Sequence, residues 1–279
     1  MTSHSQSFAY GNVSIEALLE GSGPLVVMVA SLGRPAEDFN DLSRRVAAAG
    51  FTAVRPQPRG IGKSAGPMQG LSLADLAGDV AIVVERLASG PAVLVGHAFG
   101  QRVARMVATT RPDLVKGVVM LAAGGKVPIP ERAHEALSTC FDLTLPDDVR
   151  TENVRYAFFA PGNDPTVWRS GWYPEVANMQ RATTVGLDRS DENAAQSGGG
   201  RATSVDAWWA GGSAPLLVIQ GLQDRVALPE NGRLLKAEFG DRVRLTEIDG
   251  AGHALLPEQP EIVAAHVLAF LRGFRPPEN

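Results

Sequence analysis

The sequence predicts an α/β protein, a mainly parallel β-sheet flanked by helices, with a mostly helical cap inserted into it. Short apolar runs of strand length alternate with amphipathic segments over residues 13–123 and again over 215–274. This alternation is typical of parallel strands covered by helices on both faces. Between these regions, strand-like runs disappear, and short helical pieces alternate with proline and glycine. We therefore predict a core of residues 1–125 and 214–279 and a cap of residues 126–213.

The first part of the core has five predicted strands and three predicted helices. Apolar runs bounded by turn residues predict strands over 13–19, 25–30, 51–54, 92–95 and 114–123. Helical spacing of Phe39, Leu42 and Val46 predicts a helix over 37–49, which Gly50 ends. Ser72 is a suitable N-cap for a helix over 73–87. A third helix is predicted over 99–111.

The second part of the core repeats the alternation. Apolar runs predict strands over 215–221 and 242–248, and helical spacing predicts helices over 229–239 and 257–274. After the cap, two predicted strands therefore complete the sheet, and two predicted helices cover it.

Composition excludes several classes of function. With 279 residues, 44% hydrophobic and 20% charged, the chain has the composition of a globular protein. A net charge of −4 gives no basic surface for nucleic acid, and the apolar runs are too short to cross a membrane. The start of the chain lacks the pattern of a secretory signal, and one cysteine, Cys140, fits a reducing compartment. We expect a cytoplasmic monomer or homodimer that binds a small-molecule substrate and uses neither a metal nor another cofactor.

The segment Gly96-His97-Ala98-Phe99-Gly100 follows a predicted strand and opens a predicted helix. It resembles the nucleophile elbow of the α/β-hydrolase fold superfamily, which is written Gly-x-Ser-x-Gly. Glycines on either side of the central residue allow a very sharp turn. The frame of the motif is present, but Ala98 stands at the position that serine usually holds and has no oxygen with which to attack a carbonyl.

Two later segments extend the resemblance in the order that the superfamily requires, nucleophile, then acid, then histidine. Residues 217–224 form a strand that leads into a loop ending in Asp224, and residues 248–253 form a strand end and a glycine-rich turn that ends in His253. The resemblance implies that Asp224 orients His253 as a base. It also implies an oxyanion hole made by the backbone N–H of Phe99 and that of Leu32 or Gly33.

Ala98 leaves three explanations open. An engineered Ser→Ala change would make the natural protein a serine hydrolase of an ester, lactone or related acyl bond. A natural alanine would be compatible with a hydrolase or lyase in which His253 acts as general base without a covalent step. A natural alanine is also compatible with a catalytically inactive protein that binds a small molecule.

Aromatic residues concentrate in the predicted cap, including Trp168, Trp172 and Tyr173. They indicate either the walls of a pocket for an apolar or aromatic substrate, or the internal core of a cap that has no sheet. His97, beside the elbow, is open to a structural role or to a role in lining the site. Cys140 is interpreted as a small apolar residue of the cap.

Overall fold

The computed structural model describes residues 3–184 and 202–274, so residues 185–201 of the predicted cap lie outside the described residues. Eight strands form one sheet in the order β1-β2-β4-β3-β5-β6-β7-β8. The strands are β1 His4–Tyr10, β2 Val13–Gly21, β3 Leu25–Val29, β4 Thr52–Pro56, β5 Ala92–His97, β6 Val115–Leu121, β7 Leu216–Gly221 and β8 Val243–Ile248. β2 is antiparallel to β1 and β4, and all other neighbours are parallel. The predicted fold class is confirmed.

The helices lie on both faces of the sheet and in the cap. They are α1 Asn40–Ala48, α2 Leu73–Leu87, α3 Phe99–Thr110, α4 Glu131–Cys140, α5 Asp147–Phe158, α6 Pro174–Arg181, α7 Glu230–Phe239, α8 Leu255–Glu258 and α9 Pro260–Leu271. Short 3₁₀ turns connect several of them, including Ala36–Phe39 before α1 and Pro165–Trp168 in the cap.

The central strands are buried on both faces, which explains why they read as continuous apolar runs. Val27 packs in a layer with α2, α3 and α7, whereas its neighbour Val26 packs in a layer with α1 and α9. Successive residues of a strand point to opposite faces, so a strand covered on both sides must be apolar throughout. The carboxyl ends of β5, β7 and β8 meet at one edge of this sheet, where the loops after them carry the candidate site.

The structure differs from the prediction at two elements. The single helix predicted over 257–274 is divided into α8 and α9, because Pro260 begins a new helix at its first position, where its missing N–H costs nothing. β1 lies outside every predicted strand. It is an edge strand whose side chains are mostly exposed, so it lacks the apolar pattern on which the prediction of strands depended.

The described part of the cap has a core of its own beside the carboxyl edge of the sheet. Phe141, Phe158, Trp168 and Trp172 pack together in it, with ring centroids 5.1 Å to 6.1 Å apart. The other two tryptophans, Trp208 and Trp209, pack instead in the layer that contains α3. Aromatic side chains of the cap can therefore form its internal core and also face the candidate site, because this core lies at the edge of the sheet that carries the site.

Candidate active site

The turn between β5 and α3 is strained and tightly packed. Ala98 has φ 48° and ψ −110°, a conformation that residues with a side chain rarely adopt. A Cβ atom added to Gly96 would lie 2.3 Å from the Cα of Gln101, and one added to Gly100 would lie 2.1 Å from the carbonyl oxygen of Val29. Both glycines are therefore required by close contact, as the elbow motif predicts.

Asp224 and His253 are in direct contact. The Nδ1 atom of His253 lies 2.9 Å from Asp224 Oδ2, and both side chains are buried. Asp224 Oδ1 also accepts hydrogen bonds from the backbone N–H groups of Val226 and Ala227, each at 2.8 Å. Because a carboxylate only accepts hydrogen bonds, Nδ1 of His253 carries the proton and Nε2 is left as the basic nitrogen.

His97, the last residue of β5, contacts the backbone of His253 and is absent from the cavity wall described below. Its Nε2 atom donates to the backbone carbonyl oxygen of His253 at 2.7 Å, and the two ring centroids are 5.6 Å apart. Complete burial, together with the nearby His253, lowers the pKa of His97 to about 3, so the ring stays neutral. His97 does not reach the cavity described below, so the structure gives it a packing role and does not support the prediction that it lines the site.

The loop after β3 forms a turn in which Arg34 N–H donates to the carbonyl oxygen of Ser31 at 3.2 Å. Gly33 has φ +55°, and its N–H donates to Gln180 Oε1 of the cap at 2.7 Å. Of the two predicted second oxyanion donors, Gly33 therefore has its N–H engaged by the cap. Leu32 lines the same cavity as Phe99.

A cavity of about 90 Å³ joins the elbow, the histidine loop and the cap. Ala98, Phe99, Leu32 and His253 lie together in its wall. The remaining apolar wall comes mainly from the cap and the loop after Asp224, and includes Leu137, Phe141, Phe158, Trp168, Trp172 and Val226. Trp168 and Trp172 lie in the wall of this cavity, and their role in binding substrate stays a prediction, whereas Tyr173 lies outside the wall and is 37% exposed.

Arg34, a residue of this region, has no specific role in the sequence analysis. Its guanidinium lies between the rings of Trp168 and Trp172, 4.7 Å and 4.6 Å from their centroids. Two of its nitrogens pair with the carboxylate of Asp38, each at 2.8 Å. Arg34 therefore joins the turn to the two tryptophans, and its charge is already matched by Asp38.

Within 3–184 and 202–274, there is no group of three or more histidine, cysteine or acidic side chains able to hold a metal ion. Burial raises the pKa of the Cys140 thiol to about 12, which keeps it protonated and a poor nucleophile. In the same residues, no helix is both long enough and apolar enough to span a bilayer.

The chain belongs to the α/β hydrolase fold family, whose model matches residues 24–260. Over 111 residues it is 34% identical to 2-(acetamidomethylene)succinate hydrolase of Mesorhizobium japonicum, a match that covers 40% of each chain. Over 175 residues it is 29% identical to an epoxide hydrolase of Caballeronia sordidicola, covering 60% of this chain and 53% of the relative. The chain therefore matches 40% of the length of the first relative and 53% of the length of the second.

Likeness to solved structures extends over the whole chain. A thermophilic esterase from Thermogutta terrifontis superposes with a TM-score of 0.75 and 20% identity, covering 99% of this chain and 100% of the esterase. At that identity the comparison establishes the fold, and any shared activity has to be argued from the residues of the site.

Proposed function

We propose that the protein hydrolyses an ester, lactone or related acyl bond in a small substrate with an apolar or aromatic part. One observation carries the proposal. His253, paired with Asp224, lines the cavity that the strained elbow residue Ala98 and the N–H-bearing residues Leu32 and Phe99 also line. Two relatives are named as hydrolases, which supports hydrolysis as the general class of reaction.

In the proposed mechanism water replaces the missing nucleophile. His253 Nε2 accepts a proton from water, and the water oxygen attacks the carbonyl carbon of the substrate. The carbonyl oxygen becomes an oxyanion, which the N–H groups of Leu32 and Phe99 stabilise. When the intermediate collapses, the bond to the leaving group breaks, and the protonated His253 returns its proton to that group.

Ala98 is compatible with this mechanism because its methyl group leaves room that a serine hydroxymethyl group would occupy. The cavity of about 90 Å³ has space for several water-sized groups, since one water needs roughly 10–15 Å³. A small acyl group and one attacking water fit that volume. The aromatic wall formed with Phe158, Trp168 and Trp172 favours an apolar part on the substrate.

The test is hydrolysis of short-chain p-nitrophenyl esters and small lactones by the chain as it stands. We expect slow turnover that His253→Ala reduces by about 10²–10⁴-fold, the contribution typical of a general base. His266→Ala, a histidine of α9 outside the cavity wall, is the matched control and should retain full activity. Turnover that survives His253→Ala would exclude His253 as the base.

The missing hydroxyl favours a second candidate, a protein that binds a small molecule without turning it over. Ala98→Ser separates the alternatives. A variant that gains burst kinetics and reacts with a fluorophosphonate, where the unaltered chain does neither, would indicate that the site retains the geometry of a serine hydrolase. If the unaltered chain and Ala98→Ser both bind esters but neither forms a product that depends on His253, the result would favour a protein that binds a small molecule without turning it over.

A further inference from the structure

One buried amide of the cap holds the turn that carries the proposed oxyanion donor. Gln180, near the end of α6, is buried, and its Oε1 atom lies 2.7 Å from the backbone nitrogen of Gly33. We infer that Gln180 is a positioning residue, which fixes turn 31–34 so that the N–H of Leu32 faces the cavity. The inference rests on the proposed function, since it concerns the stabilisation of the oxyanion.

The chemistry of the contact defines which end of the amide is used. Gly33 offers an N–H, so the partner atom has to be the oxygen of Gln180 and not its NH₂ group. The N–H of Gly33 belongs to the Leu32–Gly33 peptide, so this hydrogen bond fixes the plane of the peptide directly after the proposed donor. Rotation of that plane would turn the backbone of Leu32 as well.

The same glycine is held by the cap on its other side. Gly33 O accepts a hydrogen bond from Tyr173 N–H at 3.0 Å. A Cβ atom on Gly33 would lie 2.7 Å from Phe141 Cε1 and 2.8 Å from Ala177 Cβ. The turn therefore packs closely against Phe141, at the end of α4, and against α6, and both polar groups of Gly33 are bound by residues of the cap.

This arrangement makes the oxyanion hole depend on the cap. The partner donor, Phe99 N–H, is fixed by the sheet and the elbow, but the turn of Leu32 is fixed by α6 through Gln180. Without an acceptor at position 180, a buried N–H would have no partner, and such a group is costly enough to reorganise a short turn. The expected consequence is loss of one oxyanion donor with little change in the pocket that binds the substrate.

Three variants test this role on the full chain. Gln180→Leu removes the acceptor, Gln180→Glu keeps an oxygen in its place, and Asn178→Leu removes an exposed amide from the same helix. Loss of one oxyanion donor typically costs about 10²–10³-fold in kcat. We expect Gln180→Leu to lower kcat by about 10–100-fold with KM changed less than about threefold, and Gln180→Glu to recover most of the loss. Asn178→Leu should keep the activity of the unaltered chain.

Ligand binding provides a readout that needs no turnover. Phenylphosphonate has the negative charge and tetrahedral shape of the intermediate, whereas acetophenone has only a neutral carbonyl. Gln180→Leu should weaken phenylphosphonate binding by about tenfold or more and leave acetophenone binding within about twofold. Amide hydrogen exchange at Gly33 should be faster in Gln180→Leu than in Gln180→Glu. The same measurement over the rest of the chain shows whether each variant is folded.

The outcomes separate this inference from the proposed function. Selective loss of phenylphosphonate binding in a chain without esterase activity would support Gln180 as the positioning residue and refute hydrolysis. Equal loss of both ligands, or amide exchange at Gly33 that Gln180→Leu leaves unchanged, would overturn the role of Gln180 while leaving hydrolysis open. No phenylphosphonate binding to the unaltered chain would refute the oxyanion hole and the inference with it.

Discussion

Asp224→Asn is the sharpest test of the proposed chemistry, because the hydrogen bonds around Asp224 decide how asparagine would sit. Asp224 Oδ1 accepts two backbone N–H groups, from Val226 and Ala227, each at 2.8 Å. An asparagine must keep its oxygen there, since its NH₂ group cannot accept a hydrogen bond. The NH₂ group then takes the place of Oδ2, which lies 2.9 Å from His253 Nδ1 in the unaltered chain, and the retained oxygen takes the place of Oδ1, 3.1 Å from the same nitrogen.

The substitution therefore places a donor at the shorter of the two contacts to Nδ1 and favours the opposite tautomer of the histidine. In that tautomer Nδ1 accepts, the proton of the neutral ring lies on Nε2, and the base facing the substrate is lost. An equivalent change in a serine protease triad lowers kcat about 10⁴-fold. We expect a fall of about 10³–10⁴-fold here, which corresponds to about 4–5 kcal/mol of transition-state stabilisation.

The assay is kcat/KM for ester hydrolysis together with a thermal melt to confirm folding. Asp249→Asn makes the same chemical change on an exposed residue of the histidine loop and serves as the control. A folded Asp224→Asn variant that keeps more than about a tenth of the activity would refute the assignment of His253 as the base.

Two further predictions concern stability. The folded pKa of His97 is about 3, below the ordinary value of 6.5, so as pH falls below 6.5 the unfolded chain binds a proton that the folded chain does not. The free energy of unfolding should therefore fall on acidification. In urea titrations at pH 6 and pH 4, the His97→Gln variant should lose less of this free energy than the unaltered chain, by up to about 1.4 kcal/mol per pH unit. An equal pH dependence in the two chains would contradict this. Gly100→Ala forces a Cβ atom to 2.1 Å from a backbone oxygen and should lower the free energy of unfolding in urea by about 3 kcal/mol or more. Gly78 is a helical residue around which an added Cβ would meet nothing within 4 Å, so Gly78→Ala should be neutral or stabilising by up to about 1 kcal/mol. Similar effects at the two glycines would refute the argument from close contact.

Much of the core could be predicted because local sequence and tertiary structure agree there. The central strands are buried on both faces, so their apolar runs identify them directly. The elbow could be predicted because close contact excludes a side chain at Gly96 and Gly100, and this need is visible as a spacing of glycines. Asp224 and His253 could be placed because each follows a strand that ends at the same edge of the sheet.

The rest depends on contacts between residues far apart in the chain. His97 adjoins the elbow in sequence, yet its ring turns inward to the carbonyl of His253, 156 residues away. The hydrogen bond from Gly33 to Gln180 spans 147 residues, and no local pattern distinguishes Gln180 from a surface glutamine. The sequence placed Trp172 and Tyr173 together in the cap, but only the fold shows that one lines the cavity and the other faces outward.

The strained backbone at Ala98 bears on whether the site is built for turnover. Its φ of 48° and ψ of −110° cost a residue with a side chain on the order of 1–3 kcal/mol. In a serine hydrolase such strain presents a hydroxyl group, which alanine lacks. The same ψ angle, however, sets the plane of the peptide between residues 98 and 99 and therefore the direction of the N–H of Phe99. The strain at Ala98 and the hydrogen bond between Gln180 and Gly33 thus constrain the two proposed oxyanion donors, Phe99 and Leu32, which line one cavity. Simple binding of an apolar molecule requires neither constraint, whereas stabilisation of a developing negative charge requires both, which favours hydrolysis over passive binding.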